Sequence, residues 1–123
     1  RVYLTGLSMG GRGTFIVAAE RPNTYAAIMP LSPHHAPFFY LTLAERVAHL
    51  PIRLMHGQID EISSYPIAVM MADKLDELGA EIEFYSHWTI LIRNYLKPLK
   101  IKGLKAISKC PQIIELRLNY YMQ

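Results

Sequence analysis

The chain holds a single cysteine, Cys110, among its 123 residues. No intrachain disulfide can form, so the fold must rest on burial and backbone hydrogen bonding. It also has no apolar run long enough to cross a bilayer, so no transmembrane segment is expected, and no signal-like start precedes the first apolar run. Charged residues make up only 19% against 51% hydrophobic, which excludes a disordered polyelectrolyte and describes a globular chain of about one domain.

Acidic residues are scarce in one region alone. Residues 88–123 contain no aspartate and one glutamate, Glu115, beside seven lysines and arginines. Residues 1–87 hold six basic residues against nine acidic ones. The formal net charge of +3 therefore belongs to the tail and is not spread over the whole surface. No nucleic-acid partner is expected from it.

Residues 1–87 alternate strand-like and helix-like segments. Val2, Tyr3 and Leu4 form a short β-favouring run that Gly6 ends, and a helical pattern follows from about Gly11 to Glu20, stopped by Arg21-Pro22-Asn23. Tyr25 to Leu31 is nearly all apolar, as expected for a strand buried in a parallel sheet. Ser32 to Phe39 reads as a loop, and Leu43 to Leu50 as a short helix. Ile52, Leu54 and Met55 make a further strand ending at His56-Gly57.

Ser63, Ser64 and Pro66 then start a helix whose apolar stripe is Ile67, Met70, Met71, Leu75 and Leu78, with Met70 and Met71 both read as core. Gly79 follows as its cap. Glu81 to Phe84 alternates as a strand. This order predicts an α/β fold with a parallel sheet and right-handed crossovers. The first strand would then present an edge that strands earlier in the chain normally cover, so residues 1–87 read as the C-terminal half of a larger domain, with its N-terminal strands missing. Residues 88–123 read as a divergent basic tail, a shifted reading frame being one possible origin.

Gly6-Leu7-Ser8-Met9-Gly10 fits G-x-S-x-G between a strand and a helix. A serine on such a turn is lifted clear of the sheet, and side chains at the flanking glycines would strike neighbouring backbone. The N–H of Met9, at the helix start, is placed to stabilise an oxyanion. The plainer alternative is a chance Gly/Ser turn, but the strand before and the helix after favour a nucleophile. In His56-Gly57-Gln58-Ile59-Asp60, Asp60 falls in a loop at the same sheet edge, where a carboxylate can orient an imidazole. A turn-capping role is the alternative for Asp60, and packing at the strand end is the expected role of His56.

These residues together, RVYLTGLSMGGRGTF, AAIMPLS and LPIRLMHGQIDEISS, resemble the α/β-hydrolase superfamily. The likeness covers residues 1–87. It is strongest toward the branch of dienelactone hydrolases, phospholipase/carboxylesterases, polyhydroxybutyrate-depolymerase-type esterases and prolyl-oligopeptidase relatives. The resemblance implies a partial α/β-hydrolase fold, a parallel sheet with flanking helices, and an enzyme cleaving carboxylic esters of small-molecule or acyl type without a cofactor. It implies a Ser…Asp…His order, with Ser8 as nucleophile, Asp60 as acid and the Met9 N–H as one oxyanion donor.

His87 is the only histidine after Asp60, but Ser86-His87-Trp88 continues directly from the strand, with no Gly-His turn of the family's kind. His87 is therefore either the catalytic base or simply the next residue of that strand. His34 and His35 lie in the loop after AAIMPLS, which is expected either to line the substrate pocket or to be solvated, and they are the substrate-binding candidates. As adjacent residues they point apart, so no metal site is expected. A reading of a different class keeps the Ser8 turn as scaffold and binds an anionic partner through the basic tail.

Overall fold

In the computed structural model, which describes residues 1–34, 37–87 and 113–115, strands and helices alternate along the chain. The elements are β1 (Tyr3–Leu7), α1 (Met9–Glu20), β2 (Ala27–Leu31), α2 (Pro37–Leu41), α3 (Ala44–Val47), β3 (Ile52–Gly57), α4 (Tyr65–Glu77), β4 (Ile82–His87) and β5 (Ile113–Glu115). The sheet order is β4-β3-β2-β1-β5, and every pairing is parallel. Successive strands β1 to β4 are thus laid down side by side, each reached through helical connections.

The pairing sets one face of the sheet against the helices. Leu4 is level with Ile28, Ile28 with Ile52, and Ile52 with Ile82. Paired residues of parallel strands point the same way, so these side chains form a ridge across four strands. Leu4, Ile28, Ile52 and Leu54 are buried in one cluster with Phe15 and Ala18 of α1, Tyr40 of α2, Ala44 and Val47 of α3, and Met71 and Leu75 of α4. Phe15 and Tyr40 meet edge to face, their ring centroids 5.1 Å apart. Each large side chain so buried contributes about 1.5–3 kcal/mol. On the other face, the Thr5 hydroxyl donates to the Met29 carbonyl across β1 and β2.

Four differences from the sequence expectations have local causes. β1 runs on through Gly6 to Leu7, because pairing with Pro30 and Leu31 holds the extended backbone in place of side-chain propensity. The stretch expected to be a loop from Ser32 to Phe39 gives way to α2 from Pro37 onward. At five residues it is too short to display a helical period, and Pro37 opens it in the position where a missing N–H costs nothing. Met70 is 50% exposed whereas Met71 is fully buried, so the stripe of α4 that packs is Ala68, Met71, Ala72 and Leu75. Leu78 also lies outside it, at 39% exposure, beyond the last helical turn.

Lastly, residues 113–115, within the segment read as a tail, pair with Tyr3, Leu4 and Thr5 along the outer side of β1. The rest of residues 88–123, including Trp88, and with it the anionic-partner reading, lie outside the described residues.

Candidate active site at the carboxyl edge of the sheet

Ser8 joins β1 to α1 with φ 56° and ψ −113°, a conformation costing roughly 1–3 kcal/mol for a residue with a side chain. Its neighbours make that turn possible. A Cβ on Gly6 would lie 2.3 Å from the Gly10 carbonyl oxygen, and one on Gly11 would lie 2.7 Å from that of Leu31. Both obstacles are backbone, so neither can swing aside.

Three hydrogen bonds hold the strained residue. The Ser8 N–H donates to the Leu31 carbonyl at 2.9 Å, while the Ser8 carbonyl accepts from the N–H groups of Arg12 at 3.0 Å and His34 at 3.1 Å. Among the described residues no side chain caps α1, and no acidic residue occupies its first turn. The N–H groups opening this helix, Met9 first, therefore keep their donor capacity and their positive end of the helix dipole.

Asp60 lies in the loop after β3 and is 8% exposed. Its Oδ1 accepts from the N–H groups of Ile62 at 3.0 Å and Ser63 at 2.9 Å, the turn-capping role expected of an aspartate here. Its Oδ2 is buried and has no partner among the described residues. A buried carboxylate oxygen without a donor is costly and marks a place where a further hydrogen bond belongs.

His56 is fully buried at the end of β3, as expected of a packing residue. Its Nδ1 lies 3.0 Å from the Gly57 carbonyl, which assigns the proton to that nitrogen, and its ring stands 5.9 Å from that of Tyr65. Burial pushes the imidazole below its ordinary value, with the Gly57 hydrogen bond and the Asp60 charge acting in the opposite direction.

His87 is the last residue of β4, level with Gly57, and its carbonyl accepts the N–H of Gln58 at 2.8 Å. It is exposed, and no hydrogen bond links its ring to Asp60 or Ser8. Three strand spacings, about 14 Å, separate β4 from β1. The structure thus brings Ser8, Met9, His34 and Asp60 to one stretch of the sheet edge and leaves His87 at its end. His34 follows β2, with its Nδ1 buried and without a partner among the described residues. His35 lies outside the described residues.

Two residues at this edge escaped the motif-based reading. Ser32 has φ 36°, donates its N–H to the Met55 carbonyl at 2.8 Å, and buries a hydroxyl without a partner among the described residues. Arg12, four residues after Ser8 and so one helical turn on, sets its guanidinium 5.9 Å from the centre of the exposed Phe39 ring. The i+4 spacing from Ser8 was the available signal for Arg12; nothing in the sequence marked Ser32. Among the described residues no group of three or more His, Cys, Asp or Glu side chains converges to hold a metal ion, and no helix is long and apolar enough to cross a membrane.

No protein-family model matches the sequence, and no curated protein matches it. Solved structures do. A thermostable esterase superposes with a TM-score of 0.63 at 30% identity, over 72% of this chain and 23% of its own. SOBER1 of Arabidopsis thaliana gives 0.57 at 27% identity, over 70% of this chain and 42% of its own. The chain belongs to the α/β-hydrolase superfamily. A Klebsiella pneumoniae protein assigned as a dienelactone hydrolase shares this α/β-hydrolase fold, with a TM-score of 0.60 at 20% identity, over 71% of this chain and 38% of its own. The chain therefore spans between about a quarter and about half of the α/β-hydrolases it matches, and its described strands form part of that fold.

Proposed function

We propose that the chain carries the nucleophile and acid of a serine hydrolase acting on carboxylic esters. Ser8 attacks the acyl carbonyl, the Met9 N–H receives the developing oxyanion, and Asp60 orients the imidazole that moves the proton. An acyl-enzyme forms on Ser8 and water releases the acid. The chemistry calls for no cofactor.

The observation that carries this reading is the strained Ser8 turn beside an uncapped helix N-terminus. A strain of that size persists only where the surroundings over-determine it, and here two glycines and three hydrogen bonds do so. The resemblance to an esterase at 30% identity supports the ester as substrate class. Chain order offers His87 as the base, and its place at the end of β4 weighs against it.

Turnover of a short-chain chromogenic ester tests the proposal. Ser8→Ala is expected to abolish it, and Ser8→Ala activity equal to that of the parent chain would remove the reading.

A further inference from the structure

Helices α1 and α2 meet through two pairs of side chains. Phe15 and Tyr40 form the inner pair, both fully buried, with their ring centroids 5.1 Å apart. Arg12 and Phe39 form the outer pair, the guanidinium standing 5.9 Å from the centre of a half-exposed ring. Arg12 precedes Phe15 by three residues on α1, and Phe39 directly precedes Tyr40, so the buried pair fixes where the outer pair stands. The loop leading to α2 is in turn tied to the Ser8 turn, because the His34 N–H donates to the Ser8 carbonyl at 3.1 Å. That carbonyl also accepts from the Arg12 N–H at 3.0 Å, which sets Arg12 one helical turn, about 6 Å, along α1 from Ser8.

The Arg12 charge has no counter-ion. Among the described residues, carboxylates pair with Arg46, Arg53 and Lys74, and none pairs with Arg12. The first turn of α1 holds no acidic residue, and Asp60 follows β3, two strand spacings or about 10 Å from β1. A guanidinium held against a ring keeps its fork of N–H donors and gives up little freedom on binding, and that fork matches the two oxygens of a carboxylate. Leu7 and Met9, which flank Ser8, are exposed and offer apolar surface to a carbon chain. A reactive hydroxyl, apolar surface and an uncompensated cation thus occur within one helical turn.

We propose that Arg12 selects esters that carry a carboxylate, which rests on the reading of Ser8 as nucleophile. The guanidinium takes the substrate's carboxylate in a two-pronged hydrogen bond while Ser8 reacts with the ester carbonyl one turn away. Half-esters of short dicarboxylic acids put the carboxylate on the acyl side, and esters of glycolate put it on the alcohol side. Arg12 acts in binding, so its effect is read in KM.

The test compares the full chain with Arg12→Gln and Arg12→Lys, with folding followed by circular dichroism. Monoethyl succinate is set against its neutral isostere ethyl isocaproate, and O-acetylglycolate against isobutyl acetate, with turnover followed by proton release. The parent is expected to favour at least one anionic ester over its isostere by at least about 10-fold in kcat/KM. Arg12→Gln should reduce that ratio at least about 10-fold through KM, and Arg12→Lys should recover part of it. The pair that shows the preference assigns the carboxylate to the acyl or the alcohol side. No preference in the parent, or an unaltered ratio in folded Arg12→Gln, would overturn the assignment and leave the Phe39 contact as a brace for α2. A second readout does not depend on turnover. Succinate is expected to slow modification of Arg12 by phenylglyoxal at least about threefold in both the parent and Ser8→Ala, read by peptide mass mapping. Absence of that protection would overturn the carboxylate site. Failure of a fluorophosphonate to label Ser8 in the folded parent, with Arg12 still protected, would instead defeat the hydrolase reading.

Discussion

Asp60 divides its two oxygens between two tasks, and substitution can separate them. Oδ1 holds the turn through Ile62 and Ser63, while Oδ2 has no partner among the described residues and, in the proposed mechanism, takes an imidazole. Asp60→Asn can keep the turn, so its stability should change by less than about 0.5 kcal/mol while ester turnover falls at least about 100-fold. Asp60→Ala should lose both, with a further cost of about 1 kcal/mol in urea unfolding.

Glycines separate in the same way. Gly6→Ala places a methyl group against the Gly10 carbonyl and should cost about 3 kcal/mol. Gly13→Ala meets nothing within 4 Å inside α1 and should stabilise by about 0.5–1 kcal/mol. Equal unfolding midpoints for the two would contradict the packing described.

His56 makes stability depend on pH. Its folded value is lowered from 6.5 by burial, so the unfolded chain takes up the proton more readily. Its contribution is complete above about pH 6.5 and declines as the pH falls below that, toward the folded value. The urea midpoint should therefore drop between about pH 7.5 and about pH 5, and His56→Gln should flatten that drop. At this scale the strand-to-helix turn that holds Ser8 and Met9 was readable, because such a turn needs glycines at fixed spacing, and the placing of Asp60 in a loop was readable from the end of the strand before it. The crowding of Ser32 and His34 was not, because it arises from pairing between β2 and its neighbours.

At the scale of elements, α4 shows how far a periodic pattern reaches. Its existence and start were legible from Pro66 and the recurring apolar residues, and Gly79 at φ 74° ends it as expected. Which methionine faces the core was not, since Met70 and Met71 are consecutive and the helix turns only one of them inward. Met71→Ala should cost about 2–5 kcal/mol and Met70→Ala less than about 0.5 kcal/mol in urea unfolding, and the reverse ranking would refute this packing. α2 escaped notice for a different reason. It is held by tertiary contact, with Tyr40 fully buried against Phe15, and five residues carry little intrinsic helical preference. β4 likewise continues to His87 because its pairing with β3 reaches Gly57. That continuation keeps the one histidine after Asp60 in the strand.

Across the whole molecule, the parallel order of β1 to β4 followed from the alternation of strands and helices, since each crossover must place its strand beside the last. The pairing of β1 with residues 113–115 did not follow, because three residues are too few to display a strand period of their own. Ending the chain after His87 should therefore lower the urea midpoint, as β1 loses its pairing with β5. An unchanged midpoint would contradict a structural part for β5.

The same sheet gathers the candidate chemistry, because the turns after β1, β2 and β3 all open at its carboxyl end. The central claim is that Ser8 is an activated nucleophile at that end. Peptide mass mapping after treatment of the full chain with a fluorophosphonate tests it most directly. The account predicts a single adduct, on the peptide containing Ser8 and absent from Ser8→Ala. A folded chain that forms no adduct, or carries it on another serine, would contradict it.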